Sequence, residues 1–273
     1  MRVWIDGQLL PDPQDAAVTV SDHGLTVGDG VFETLKVLDG VPFALSRHLD
    51  RLDRSAAGLG LESPDHAQVR DAVSAVLNGT EWPLGRLRIT LTGGPAPMGS
   101  GRGDAAPTLI VVAGPMEPQP PTTAVVTVPW TRNERSAVAG LKTTSYAENV
   151  VALARATAAG ASEAILANTV GNLCEGTGTN IFYAVDGELR TPSLATGCLA
   201  GITRELVLDW HGAVEAEDPA SVLDEADEVF LTSSTRDVQA VVRIDDRRLD
   251  GPGELTRAVQ ESWVRHCADT LDP

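Results

Sequence analysis

The sequence predicts a mixed α+β protein built as two domains. Strand-like alternation of period two and helical patterns of period 3.6 follow one another along all 273 residues. Apolar residues make up 42% of the chain, enough to bury a real core. One proline-dense stretch, GPMEPQPPT at 114–122, forbids both helix and central strand and reads as a linker. It divides the chain into a smaller N-terminal domain, residues 1–117, and a larger C-terminal one, residues 118–273.

The first third reads as strands and hairpins with two helices. VWIDGQLL carries an Asp-Gly turn, and VFETLKVLDGVPFAL forms a second alternating pair around Asp39-Gly40. SRHLDRLDRSAAGLG follows, with Leu45, Leu49, Leu52, Ala56 and Leu59 at helical spacing and Gly58 and Gly60 near its end. GRLRITLTGG and PTLIVVAG are strands joined by a Gly/Pro-rich loop from Gly93 to Pro107. Past the linker, TAVVTVPW is a strand, and AENVVALARATAAGA is a helix with Val150, Leu153, Ala154 and Thr157 on one face. EAILAN and TNIFYAVDGEL are strands, GITRELVLDW a helix, DEVFLTSS and VQAVVRID strands, and ELTRAVQESWVRHCADTL a closing helix.

A net charge of −17 speaks against nucleic acid, whose phosphates need clustered Lys and Arg. No stretch approaches the apolar run of roughly 18 residues that a membrane span needs, and the opening MRVWIDGQLLPD has no signal-peptide h-region. Cys174, Cys198 and Cys267 are odd in number and widely spaced, which fits a reduced, cytoplasmic protein. The five histidines are scattered and suggest no metal cluster.

Of 21 basic side chains only Lys36 and Lys142 are lysines. Arg-favouring codon usage explains the scarcity without any function. A lysine kept in such a chain also suits chemistry that Arg cannot do, because only an amine loses its proton near neutral pH and attacks a carbonyl. Lys36 lies within an alternating strand, whereas Lys142 sits in GLKTTSYAENVVA, a junction of small hydroxylated residues just before the helix of the second domain. Glu175 in NLCEGTGTNIF is expected at a crowded, Gly-flanked turn. A carboxylate held against a pyridine nitrogen keeps that nitrogen protonated and the ring an electron sink. Gly201 and Thr203 open a helix, a start that offers free N–H groups to an anion. Ser233, Ser234 and Thr235 form a second hydroxyl-rich turn, and Arg47 and Arg51 lie one helical turn apart. Each of these also has a plain structural reading: surface lysine, strand-end acid, helix cap, solvated charge. Together they supply the amine, acid, anion nest and arginine that pyridoxal 5′-phosphate (PLP) needs, while phosphate-loop, dinucleotide, zinc-protease and serine-hydrolase motifs are all missing.

In this order the motifs DHGLTVGDGVFETLKV, RHLDRLDRSA, LKTTSYAENVVA, CEGTGTNIF, LAGITRE and FLTSSTRDVQAV resemble the fold-type IV (class IV) PLP enzymes over nearly the whole chain. GDGVFETLKV is most similar to the D-amino-acid aminotransferases and the 4-amino-4-deoxychorismate lyases. The resemblance implies a two-domain α/β fold with the cofactor between the domains, and a homodimer with its active site at the interface. It also implies Lys142 as the Schiff-base lysine and Glu175 as the acid on the pyridine nitrogen. Arg51, Ile202, Thr203, Ser233 and Ser234 take the phosphate positions, Tyr146 faces the phenolic oxygen, and Leu199 packs on the ring. The activity implied is ping-pong transamination from a small amino acid, such as D-alanine, to a keto acid. The alternative is the lyase that makes p-aminobenzoate and pyruvate. Phe32 stands where the D-amino-acid enzymes have a carboxylate-binding tyrosine, and PMGS (97–100) where they have an Arg-x-His pair. Arg88 and Arg102 are the substitutes, with Phe32 and Thr235 beside them on the substrate side.

Overall fold

The computed structural model describes residues 1–273. Its chain divides into two units: Met1–Pro118 with Leu141–Tyr146 and Leu271–Pro273, and Gln119–Gly140 with Ala147–Thr270.

The first unit runs β1 (Arg2–Ile5), β2 (Gln8–Leu9), α1 (His23–Thr26), β3 (Gly30–Leu38), β4 (Val41–Pro42), α2 (Leu45–Leu59), α3 (His66–Leu77), β5 (Leu84–Thr92) and β6 (Thr108–Pro115). The Asp-Gly pairs sit where they were expected. Asp6 and Gly7 have φ of 43° and 96°, Asp39 and Gly40 of 46° and 82°, the left-handed pair that turns a tight hairpin. The six strands form one antiparallel sheet, ordered β2-β1-β6-β5-β3-β4. On β3, Val31, Leu35 and Val37 join Leu49 and Leu52 of α2, Val69 and Val76 of α3, and Leu87, Ile89 and Val111 in one core. Alternation then sends Phe32, Thr34 and Lys36 to the opposite face.

Helix α2 has no side-chain cap of its own, since Ala44 stands at its N-terminus with φ 55°. The C-terminal tripeptide supplies one. Asp272 accepts from the Ser46 N–H at 2.8 Å and from its hydroxyl at 2.6 Å, and Arg47 Nε donates to the Pro273 carbonyl at 3.0 Å. A carboxylate at a helix start also complements its dipole.

Residues 141–146 belong to this first unit, which corrects the expectation that Lys142 lies at the head of the second domain. The Phe32 N–H donates to the Lys142 carbonyl at 2.9 Å, and the Thr144 N–H donates to Gly30 at 2.8 Å. Thr143 bridges Val31, and the Lys142 N–H donates to Ser55 Oγ at 3.2 Å. Backbone pairing with β3 outweighs sequence neighbourhood with the helix that follows.

The second unit runs β7 (Thr122–Arg132), α4 (Ala147–Ala158), β8 (Glu163–Asn168), β9 (Leu173–Gly176), β10 (Asn180–Val185), β11 (Glu188–Pro192), α5 (Ile202–Trp210), β12 (Val214–Ala216), β13 (Glu228–Ser233), β14 (Asp237–Ile244), β15 (Arg247–Arg248) and α6 (Glu254–Asp269). Its sheet is mixed, ordered β12-β11-β10-β13-β14-β7-β8-β9 with β15 on β14. Two expectations need correction. Glu175 is not at a turn: it lies on the short strand β9, opposite Leu166 of β8. The apolar face assigned to α4 is its outer one, with Val150 63% and Leu153 40% exposed. Ala152 and Ala156 face inward instead, packing with Val126, Ala161 and Ala164. Alanines let the helix lie close on the sheet, and nearness of the backbone decided the face over side-chain size. No helix is long and apolar enough to cross a membrane.

Leu52, with no exposed surface, sits between α2 and the sheet of the first unit. Leu52→Ala should cost about 2–5 kcal/mol, read as a lowered denaturant midpoint with an unchanged slope.

Candidate active site

In the first unit, the ring of Phe32 gathers three candidate side chains. The Lys142 amine lies 4.6 Å from its centroid, the Arg88 guanidinium 3.8 Å, and the Tyr146 ring 5.2 Å in an edge-on arrangement. Strand register produces this grouping: β5 sets Arg88 opposite Thr34 and Thr90 opposite Phe32, on the face turned away from the core. Arg88 donates Nε to Thr90 Oγ1 at 3.1 Å and forms no ion pair. Burial pushes its pKa down, with Tyr146 acting weakly the other way. A half-buried guanidinium without a carboxylate is an anion site in waiting.

Arg102 is placed differently. Its Nε and Nη2 donate to Asp29 at 2.6 and 2.5 Å, and Nη1 and Nη2 donate to the carbonyls of Gly60 and Leu59 at 2.9 and 2.7 Å. It ties the loop after β5 to the end of α2, so Arg88 is the substrate-side candidate that the geometry favours.

Arg51 belongs to a buried ionic cluster that the sequence analysis did not anticipate. Glu33, fully buried on β3, accepts from Arg51 Nε at 2.8 Å and Nη2 at 2.6 Å, and pairs with His48 Nδ1 at 2.6 Å. Burial alone would raise the Glu33 carboxyl, but the charge and hydrogen bonds of Arg51, helped by His48, hold it down at about 2. Burial, with the charges of Arg51 and Lys142, pushes His48 down against the pull of Glu33. The signal was present in the sequence: His48 and Arg51 are spaced to share one helix face, and Glu33 is an acid at an inward strand position.

In the second unit, Glu175 is nearly buried. Its Oε2 accepts the Leu199 N–H at 2.9 Å, and Arg132 Nε lies 3.0 Å from Oε1. That Nε is off the hydrogen-bonding direction, so charge rather than an aligned bond holds the pair. Asn180 fixes the turn beyond Leu199 by donating Nδ2 to the Leu199 carbonyl at 2.8 Å. A Cβ on Gly201 would meet Asn180 Oδ1 at 1.9 Å, so only glycine fits at the start of α5. The sequence signal for Asn180 was a polar residue opening an apolar strand; Arg132 gave none.

The arrangement suits a phosphate-bearing cofactor. Gly201 has no side chain with which to cap α5, so the first-turn amides at Ile202 and Thr203 are left for an anion. Thr232 lies opposite Asn180 in the β10–β13 pairing, 1% exposed, and its hydroxyl has no hydrogen-bond partner. An orphaned buried hydroxyl beside an uncapped helix start is what an absent oxyanion would satisfy. Ser233 ends the same strand, and Ser234 and Thr235 follow it in the turn.

Glu33 has a pH signature. Its carboxyl is held at about 2 in the fold, below its ordinary 4.5, so it contributes stability fully above pH 4.5 and loses it as pH falls toward 2. Glu33→Gln should destabilise the protein by about 3–5 kcal/mol at neutral pH, because the buried Arg51 guanidinium loses its carboxylate. Denaturation midpoints followed across that acid window should fall for the native protein and stay flatter for the variant.

Comparison with known proteins agrees with this geometry. Residues 30–244 match the family described as Amino-transferase class IV. The chain is 34% identical to a putative branched-chain-amino-acid aminotransferase of Methanocaldococcus jannaschii, covering 96% of this chain and 95% of that protein. It is 31% identical to a D-alanine aminotransferase of Bacillus licheniformis, with 95% of each covered. Among solved structures, a fold IV-transaminase from Curtobacterium pusillum superposes with a TM-score of 0.84 at 32% identity, over 96% of this chain and 93% of that one. A hypothetical aminotransferase from Mycobacterium tuberculosis in its PLP-bound form gives 0.83 at 27%, over 97% and 100%. The chain belongs to the class IV aminotransferases, the PLP-dependent enzymes of fold type IV.

Proposed function

We propose that this enzyme is a transaminase that moves the amino group of a small amino acid, D-alanine or a close analogue, to a keto acid. The observation that carries the reading is the shared Phe32 ring, with an amine and an unpaired guanidinium against one aromatic surface. Bound PLP supplies an electron sink for the negative charge left at the substrate Cα. Lys142 would hold the cofactor through its amine, and the same amine would carry the proton of the substrate Cα. Its backbone, bonded to Phe32 and Ser55, fixes where that amine works from. Glu175 would meet the pyridine nitrogen, Leu199 would cover the ring, and Tyr146 would face the phenolic oxygen. Arg51, aimed by Glu33, holds the phosphate together with Ile202, Thr203, Ser233 and Ser234. Arg88 takes the substrate carboxylate, beside Phe32 and Thr235.

Two further properties go with this reading. A homodimer is supported by large apolar side chains left open on the single chain: Val20 86%, Leu25 68% and Met98 101% in one unit, Val150 and Val151 in the other. A cytoplasmic setting is supported by three free cysteines, of which Cys174 and Cys198 are buried. Burial raises both thiols, Cys198 to about 11, which leaves them unreactive.

A second reading, L-branched-chain transamination, is favoured by the M. jannaschii relative and by the apolar Phe32–Tyr146 pair, which suits an aliphatic side chain. The half-reaction separates them. Stoichiometric pyruvate from D-alanine, with conversion of the cofactor to its pyridoxamine form, supports the first. Conversion with L-leucine alone supports the second, and inertness to both turns the test to aminodeoxychorismate and the lyase.

Arg88→Ala should raise KM for the amino donor by about tenfold or more, the loss of a charge-assisted pair, with secondary structure and melting temperature retained. Arg102→Ala should leave KM nearly unchanged and lower the melting temperature instead. Steady-state kinetics and thermal melts on both variants check the assignment.

A further inference from the structure

The polar network behind Glu175 points to a residue that no motif identified. Arg132 ends β7, delivered there by an irregularity in the β7–β8 pairing between Thr127 and Thr131. Its Nε faces Glu175 Oε1 at 3.0 Å, and its Nη1 donates to Asn149 Oδ1 at 2.9 Å. Asn149 Nδ2 donates in turn to the Thr177 carbonyl at 2.6 Å. Thr177 is anchored by its N–H, at 3.0 Å, and by its hydroxyl to Glu163, a 2% exposed carboxylate that also takes the Ala164 N–H and the Thr179 hydroxyl. Side chains from α4, β8 and the turn after β9 thus hold the Arg132 guanidinium against the Glu175 carboxylate. The nearest other acid, Glu148, is 3.8 Å from Nη1 and 80% exposed, so it competes weakly.

We propose that Arg132 is the positioning residue for Glu175: it keeps the carboxylate charged and fixes Oε1, while the Leu199 N–H fixes Oε2. This rests on the reading of Glu175 as the acid that meets the cofactor's pyridine nitrogen. Taking the opposite charge away from a nearly buried carboxylate makes it easier to protonate or rotate, and a protonated acid cannot hold a pyridine nitrogen in its cationic form. The guanidinium supplies the opposite charge that prevents this. Asn149 restrains the guanidinium from the far side.

The test is PLP affinity of the cofactor-free protein, together with the visible absorption of the loaded protein. Arg132→Gln should weaken PLP binding by about tenfold, the scale of one lost charge partner, and shift the absorption in the same direction as Glu175→Gln. Arg132→Lys should recover most of the loss, and Asn149→Ala should show a smaller effect of the same sign. In a Glu175→Gln background, Arg132→Gln should add nothing. An Arg132→Gln protein that matches the native one while Glu175→Gln does not would overturn the proposal, and so would additive losses in the double variant. If Glu175→Gln itself leaves affinity and spectrum unchanged, the role of Glu175 fails, and the role of Arg132 with it. Should Arg132→Gln not fold, Arg132→Lys and Asn149→Ala carry the comparison.

Discussion

Two backbone hydrogen bonds hold the proposed reactive lysine of this protein in place. The Phe32 N–H to the Lys142 carbonyl and the Thr144 N–H to the Gly30 carbonyl turn the segment around Lys142 into an extra partner for β3. That pairing sets the lysine over the face of Phe32 and brings Tyr146 to its edge. Because β3 is itself paired residue by residue with β5, the position of Arg88 follows from the same register. A one-residue slip would send Phe32 and Arg88 into the core and bring Leu35 and Leu87 out. The hydrophobic demand of the core therefore fixes the geometry of the functional face.

Charge placement follows a second rule: buried acids are well supplied with donors, and one half-buried cation has no carboxylate. Glu33 has Arg51 and His48, Glu163 has backbone and threonine donors, and Glu175 has Arg132 and the Leu199 N–H. For Glu33 these donors hold the carboxyl in its charged form despite desolvation. Arg88 breaks the pattern, as do the Thr232 hydroxyl and the uncapped start of α5. Groups left short of a partner in a well-satisfied interior are where an anionic ligand gains the most.

The proteins compared here carry two different substrate names at nearly equal identity, so overall likeness does not select a substrate. Discrimination among relatives of one fold comes from a few side chains around the reacting atoms. In the proposed site those are Phe32, Tyr146 and Arg88, while the loop arginine Arg102 is held by Asp29.

Local pattern alone was enough for the hairpins at Asp6-Gly7 and Asp39-Gly40, the strands around Arg88 and Asn180, the α2 face from Leu45 to Ala56, and the family motifs around Lys142 and Glu175. These features depend on residues a few positions apart, where period and turn chemistry act directly. The sequence alone did not reveal that residues 141–146 pair with β3, that Glu175 lies on a strand, or that α4 turns its alanines inward. Nor did it reveal the partners of Arg51, Arg102 and Arg132. All of these depend on groups far apart in sequence, whose competition for hydrogen bonds, charge and close packing is settled only when the sheets have formed. Local propensity carries no record of that competition.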